Sequence, residues 1–279
     1  MHVLNVDYQT SNAPELFSNS LKNTGFAVLS NHPISTVLID RVYQQWKNFF
    51  NSENKFNYRP LQKTAQDGYF PFRTENAKNA TFSDLKEFFH FYPHGQQPEE
   101  TRKLSQTLYN ELTQMAATLL QWIENYLPHD VSQQLSMPLR EMSTNSENTL
   151  LRILHYPPLL HDTEEGAVRA AAHEDINLIT LLPAATAPGL EVLDIHHHWH
   201  AVPCDPGNIV VNVGDMLQRC TKNYYRSTTH RVVNPNDSIE NKSRYSMPLF
   251  LHPRPDVLLG ENCTAQQYLH ERLKEIGIF

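Results

Sequence analysis

Apolar positions change their period along this chain near residue 145. Before that point they recur every three to four positions. Leu38, Val42, Trp46 and Phe49 have the spacing of an amphipathic helix over about 35–51. A longer helix is predicted over about 98–127, with Leu104, Leu108, Leu112, Met115, Leu119, Ile123 and Tyr126 on one face. Glu99 and Glu100 sit in its first turn, where the positive end of the helix dipole favours carboxylates. Near the start, Pro14 suits a first helical turn, and Leu16, Phe17 and Leu21 form a stripe that stops before Gly25. Residues 3–6 and 26–29 read as short strands.

From Thr149 onward the pattern becomes short apolar runs bounded by Pro, Gly and Asn. They cover 150–156, 176–182, 190–193, 199–202, 209–213, 230–233 and 245–251. Short strands at this spacing predict an antiparallel sandwich or barrel. A terminal helix is predicted over about 265–276. No repeat or low-complexity linker divides the chain. One integrated domain over 1–279 is therefore expected, helix-rich over 1–145, with a β-core over 146–260 and a helix within 261–279.

Composition narrows the function classes. The 279 residues are 40% apolar, enough for a sizeable core. The net charge of −7, from 23 basic and 30 acidic residues, disfavours a grip on nucleic-acid phosphates. Cys204, Cys220 and Cys263 have no CxxC spacing, so neither a disulfide framework nor a thiolate metal site is expected. That usage suits a reducing compartment, and a cytoplasmic protein is expected. The first residues have no cationic segment leading into an apolar one, so no signal peptide is expected. No apolar stretch approaches the ~18–20 residues of a membrane helix.

Candidate chemistry centres on a few of the 15 histidines. His173 and Asp175 are two positions apart, so an extended backbone points both side chains to one face. His230 begins a later strand that a folded β-core can bring back to them. Two imidazoles and one carboxylate on one side of a metal leave the opposite positions open. That is the ligand set of non-haem Fe(II) sites that bind a co-substrate and oxygen together. Arg244 and Ser246 share a strand face by the same alternation. A guanidinium beside a hydroxyl makes a receptor for a carboxylate.

At these residues the chain resembles a known family. HEDINLITLLP (173–183), VNVGDMLQ (211–218), STTHRVVNP (227–235) and RYSMPLFLHP (244–253) are similar to iron(II)- and 2-oxoglutarate-dependent dioxygenases of the isopenicillin N synthase-like, plant-type family. The likeness extends to LRILHYPP (151–158) and, more weakly, to GFAVLSNHPI (25–34) and DLKEFFHF (84–91), so it covers most of the chain. It implies a mainly β protein with flanking helices, its core a double-stranded β-helix of the jelly-roll, cupin-like kind.

The resemblance also implies roles. His173, Asp175 and His230 match the iron ligands, and Arg244 and Ser246 match the pair that holds the distal carboxylate of 2-oxoglutarate. Tyr156 matches an assisting tyrosine, although the asparagine usual two places before it is Leu154 here. The implied reaction uses Fe(II), 2-oxoglutarate and O2, releases succinate and carbon dioxide, and oxidises a C–H bond of a small molecule, usually by hydroxylation. A same-fold oxidase that uses no keto acid, and a binding protein that has lost turnover, are the alternatives. A zinc hydrolase with these ligands is disfavoured, because no general base is evident beside them.

Other features read differently. His196, His197, His198 and His200 lie between two predicted strands, where a solvated hairpin turn belongs. Asp215 is expected to satisfy turn backbone, and His155, facing away from Tyr156, to be structural. In the aromatic segments 68–73 and 88–92, Phe72, Arg73, Phe88 and His90 are candidates to line a substrate pocket with a cationic handle for an acidic substrate. Ordinary aromatic packing beneath helices is the alternative there.

Overall fold

The computed structural model describes residues 1–62, 66–75, 81–236 and 241–275. Its elements run β1 (Asn5–Asp7), α1 (Ala13–Thr24), β2 (Phe26–Ser30), α2 (Thr36–Phe50), β3 (Gly68–Phe70), β4 (Glu87–Phe91) and α3 (Glu99–Asn125). There follow α4 (His129–Ser132), α5 (Leu139–Met142), β5 (Leu150–Tyr156), β6 (Ala170–His173), β7 (Ile179–Pro183), β8 (Leu190–Leu193), β9 (Trp199–Ala201) and β10 (Ile209–Val213). The chain continues with α6 (Asp215–Cys220), β11 (His230–Val232), β12 (Arg244–Ser246), β13 (Leu249–Leu251) and α7 (Ala265–Glu275). The last predicted helical residue, Ile276, lies outside the described residues.

The strands form a nine-stranded sheet, ordered β1-β2-β10-β7-β13-β5-β4-β3 with β12 also on β5, and a four-stranded sheet, β6-β11-β8-β9. This is the jelly-roll expected of the β-core. The expected run 245–251 is divided into β12 and β13 around Pro248, which has no N–H for a ladder and whose carbonyl accepts from Arg152 N. The part before residue 145 contributes more than helices. β1, β2, β3 and β4 all join the large sheet, and β4 pairs with β5 from Glu87↔His155 to Phe91↔Leu151. The alternation of β4 therefore sends Phe88 and His90 inward and Phe89 and Phe91 outward.

The outward face of the large sheet is covered by α1, α2 and α3. Phe17, Leu21, Trp46, Phe49, Leu112, Leu119, Phe89, Leu151, Leu181 and Val211 belong to one buried cluster. Ser35 starts α2 by accepting from Leu38 N. α1 stops at Gly25, whose φ of 73° an L side chain resists and whose Cβ would lie 2.1 Å from Thr228 Oγ1. Between the two sheets, Phe26, Val28, Val192 and Val210 fill one half of the interior, and Phe88, Leu154, Tyr156 and Val232 the other. No described helix is long and apolar enough to cross a membrane.

Phe89 is fully buried where sheet meets helices, with its ring 4.8 Å from that of Trp46 and 5.5 Å from that of Phe49. Phe89→Ala should cost about 3–5 kcal/mol of unfolding free energy, read as a lower urea midpoint at unchanged slope.

Candidate active site

Two antiparallel strands bring the histidines together. β11 pairs with β6 so that His230 lies directly across from His173, and their rings are 4.4 Å apart. Asp175 follows in the loop between β6 and β7, its Oδ1 lying 3.9 Å from His173 Nε2 and 3.7 Å from His230 Nε2. The ligand atoms of all three lie within 4.8 Å of one another, close enough to hold one metal ion. Each imidazole is oriented from behind. His173 Nδ1 is 2.7 Å from Ala171 O and His230 Nδ1 is 3.1 Å from Thr228 O. A carbonyl only accepts, so both Nδ1 atoms carry a proton and both Nε2 atoms face Asp175.

Asp175 is buried and held by the large sheet. Its Oδ2 accepts from Thr180 Oγ1 at 2.5 Å and from Asn212 Nδ2 at 2.8 Å. Burial opposes its charge, yet His230, His173 and these bonds keep the carboxyl below the usual carboxylate range. The loop is fixed by its neighbours. Asn177 Nδ2 donates to Ile179 O, Gly214 N to Leu178 O, and Asp215 N to Asp175 O. A Cβ on Gly214 would lie 2.2 Å from Asn177 O, so only glycine admits this approach.

Beside His173 and Asp175 opens a cavity of about 760 Å³. Lys86, His90, Arg152, Phe250 and His252 line its inner part, and Gln266, Leu269 and His270 of α7 its outer wall. The inner cations are already neutralised. Lys86 Nζ meets Glu75 at 2.6 Å and Asp84 at 2.7 Å, and Arg152 forms a fork on Glu75 at 3.2 and 3.1 Å. Burial works against the Glu75 carboxylate, but Arg152 and Lys86 hold it well below the ordinary range. The Arg152 guanidinium also lies over the rings of Phe88 and Phe250.

At the other end of the barrel, Arg244 of β12 pairs in register with Tyr156 of β5, and Ser246 with Leu154. The Arg244 guanidinium stands 5.1 Å from the Tyr156 ring. Its Nε donates to Ala187 O and Pro188 O, while its buried Nη1 has no partner among the described residues.

The structure thus gathers His173, Asp175 and His230 in one place and Arg244, Ser246 and Tyr156 in another. Of the substrate candidates, His90 lines the cavity and Phe88 is buried beside it. Phe72 and Arg73 are elsewhere. Phe72 is exposed, and Arg73 forms a surface ion pair with Glu164. Asp215 is not a turn residue. It begins α6 and binds Tyr268 Oη and Arg272 of α7. The histidine turn is a hairpin tip organised by Asp194, which accepts from His196 N, His198 N and His200 Nε2. His155 faces outward, bonded to Glu87 and Ser243. Sequence reasoning missed Thr180, Asn212 and His252, although Thr180 and Asn212 are each a lone polar residue in an apolar strand.

Comparison with known proteins decides the family. Residues 147–253 match the 2OG-Fe(II) oxygenase superfamily, and residues 8–112 match the N-terminal region of the non-haem dioxygenases in morphine synthesis. Proline hydroxylase buaE of Petromyces alliaceus is 30% identical over 300 residues, which cover 91% of this chain and 90% of the relative. The chain belongs to the iron(II)- and 2-oxoglutarate-dependent oxygenase superfamily. Among solved structures, a candidate oxygenase of Shewanella oneidensis is 47% identical with a TM-score of 0.90, covering 100% of both chains. A 2OG-Fe(II) oxygenase family protein of Caulobacter crescentus is 33% identical with a TM-score of 0.81, covering 98% of this chain and 99% of that one. This oxygenase is a 2-oxoglutarate-dependent non-haem iron dioxygenase.

Two imidazoles of this oxygenase are locked neutral. Arg152 Nε donates to His90 Nε2, and burial, then the Arg152 charge, push His90 down to about 3. Burial likewise pushes His252 down to about 4. An unfolded imidazole titrates near 6.5, so the unfolded chain binds more protons below that pH. Stability of the metal-free protein should therefore fall as pH drops from about 6.5 toward 4. Urea unfolding at several pH values should show this slope, and His90→Gln should flatten it.

Proposed function

We propose that this oxygenase hydroxylates a C–H bond of a small molecule held in the cavity beside His173 and Asp175, releasing succinate and carbon dioxide. The observation that carries this reading is the convergence of His173, Asp175 and His230 within 4.8 Å of one another, with His173 and Asp175 on the wall of that cavity. Two imidazole nitrogens and one carboxylate on one face fit Fe(II), with the other face open. Arg244 Nη1 is a buried donor without an acceptor among the described residues, as a bound carboxylate would require. We assign the distal carboxylate of 2-oxoglutarate to Arg244, Ser246 and Tyr156. Bound there, iron, the keto acid and O2 supply the oxidising chemistry, coupling decarboxylation to oxidation of one substrate C–H.

The protein's own part is positioning and exclusion of water. Thr180 and Asn212 fix the rotamer of Asp175, and the Ala171 and Thr228 carbonyls fix both imidazole tautomers. Phe26, with its ring edge-on to His230 at 5.5 Å, and the Phe88–Leu154–Val232 cluster keep the interior dry. Every cation lining the cavity among the described residues has a carboxylate partner. Lys86 and Arg152 have Glu75, and Arg272 has Asp215 and Glu275. A neutral or cationic substrate suits such a wall better than the acidic one anticipated from Arg73.

Two substitutions separate the assignments. Asn212→Ala should weaken Fe(II) binding about 10- to 100-fold in a metal titration while the protein stays folded. Arg244→Leu should raise the 2-oxoglutarate KM by at least about tenfold and leave the Fe(II) requirement within about twofold. Equal changes in both requirements would remove Arg244 from the co-substrate site.

A further inference from the structure

Arg169 is a second buried guanidinium at the Arg244 end of the barrel. It lies four residues before His173, just ahead of β6, so it occupies the end of that strand line away from the histidines. It is 2% exposed and Arg244 is 1% exposed. Neither forms an ion pair with a described carboxylate. Arg169 Nη2 donates to Lys242 O at 2.8 Å, its backbone N donates to Asn234 Oδ1, and its Nε is buried with no partner among the described residues. Burial, then the nearby Arg244 charge, pull the Arg169 guanidinium below its ordinary value. The same pattern marks Arg244, which is carbonyl-bound through Nε and unpartnered at Nη1.

Arg169 Nη2 reaches the carbonyl of Lys242, two residues before Arg244, so the two buried charges lie near each other, an arrangement that is unfavourable unless an anion joins them. Fork-shaped guanidiniums bind a carboxylate better in pairs, because its two oxygens offer about four acceptor sites. We infer that Arg169 is a co-substrate-binding residue, sharing with Arg244 the distal carboxylate of 2-oxoglutarate. This rests on the proposed co-substrate site, and Arg244 serves below as its internal control. Arg169 adds a second cation to the one that the Arg-x-Ser pattern supplies. It thereby sets preference for a dianionic keto acid over a monocarboxylate.

The test uses metal-free protein and glutarate, a dicarboxylate of the same length without the keto group that would chelate iron. Glutarate and 2-oxoglutarate should each raise the Tm of the unsubstituted protein, and pyruvate should not. Arg169→Leu should weaken both dicarboxylates at least about tenfold in calorimetric titration, with Fe(II) affinity unchanged. Arg169→Lys, which keeps the charge without the fork, should recover part of that loss. In the holoenzyme the same variants should raise the 2-oxoglutarate KM with kcat within about threefold. Dicarboxylate affinity unchanged in Arg169→Leu but lost in Arg244→Leu overturns this inference alone. Affinity unchanged in both overturns the co-substrate site itself. Should Arg169→Leu fail to fold, Arg169→Lys decides, and dicarboxylate affinity equal to that of the unsubstituted protein overturns the inference.

Discussion

A buried carboxylate facing two imidazoles is the constraint on which the rest of this structure depends. Asp175 carries its charge away from bulk water, and such a charge persists only if its oxygens are satisfied. One oxygen faces His173 and His230 from the four-stranded sheet. The other accepts from Thr180 and Asn212 of the nine-stranded sheet. The group that unites the candidate ligand set is thus also a polar link between the two sheets. The register of β6 on β11, the Asn177 turn and the absence of a side chain at Gly214 all serve that one placement.

A second polar assembly ties the N-terminal part to the barrel. Asp84 accepts from Ala171 N at the start of β6 and from Lys86, Lys86 also meets Glu75, and Glu75 takes the Arg152 fork. Segments distant in sequence are joined here by charges that neutralise one another at the cavity wall. Such a network costs desolvation and returns it only when complete. Its effect on function is to present a cavity with geometry and aromatic faces but no unpaired cation among the described residues. The guanidiniums without a carboxylate partner among the described residues are instead placed at the far end of the barrel, where Arg169 and Arg244 donate to carbonyl oxygens.

Much of this was legible in the residues before any coordinates. The period of three to four around Trp46 and along 98–127 specified α2 and α3, because a helix must turn its apolar stripe to one side. The runs 150–156, 190–193 and 209–213 specified β5, β8 and β10 with the same bounds. The spacing of His173, Asp175 and His230, and of Arg244 and Ser246, identified both polar clusters, since alternation along a strand is a local property. The three-residue strands β3 and β12 were not separately legible, for such short segments carry too little pattern.

Only the tertiary structure decided which distant residues complete those clusters. Thr180 and Asn212 stand out as polar residues in apolar strands, but the β7–β10 pairing alone brings both to the Asp175 carboxylate. Whether Arg73 or Arg152 could meet a substrate depended on which carboxylate neutralised each, and those partners, Glu164 and Glu75, lie far along the chain. Local periodicity is written in neighbouring residues. Charge compensation is settled between residues that meet only after the chain has folded, and so the sequence determined the elements and the ligand spacing while the fold decided the electrostatics.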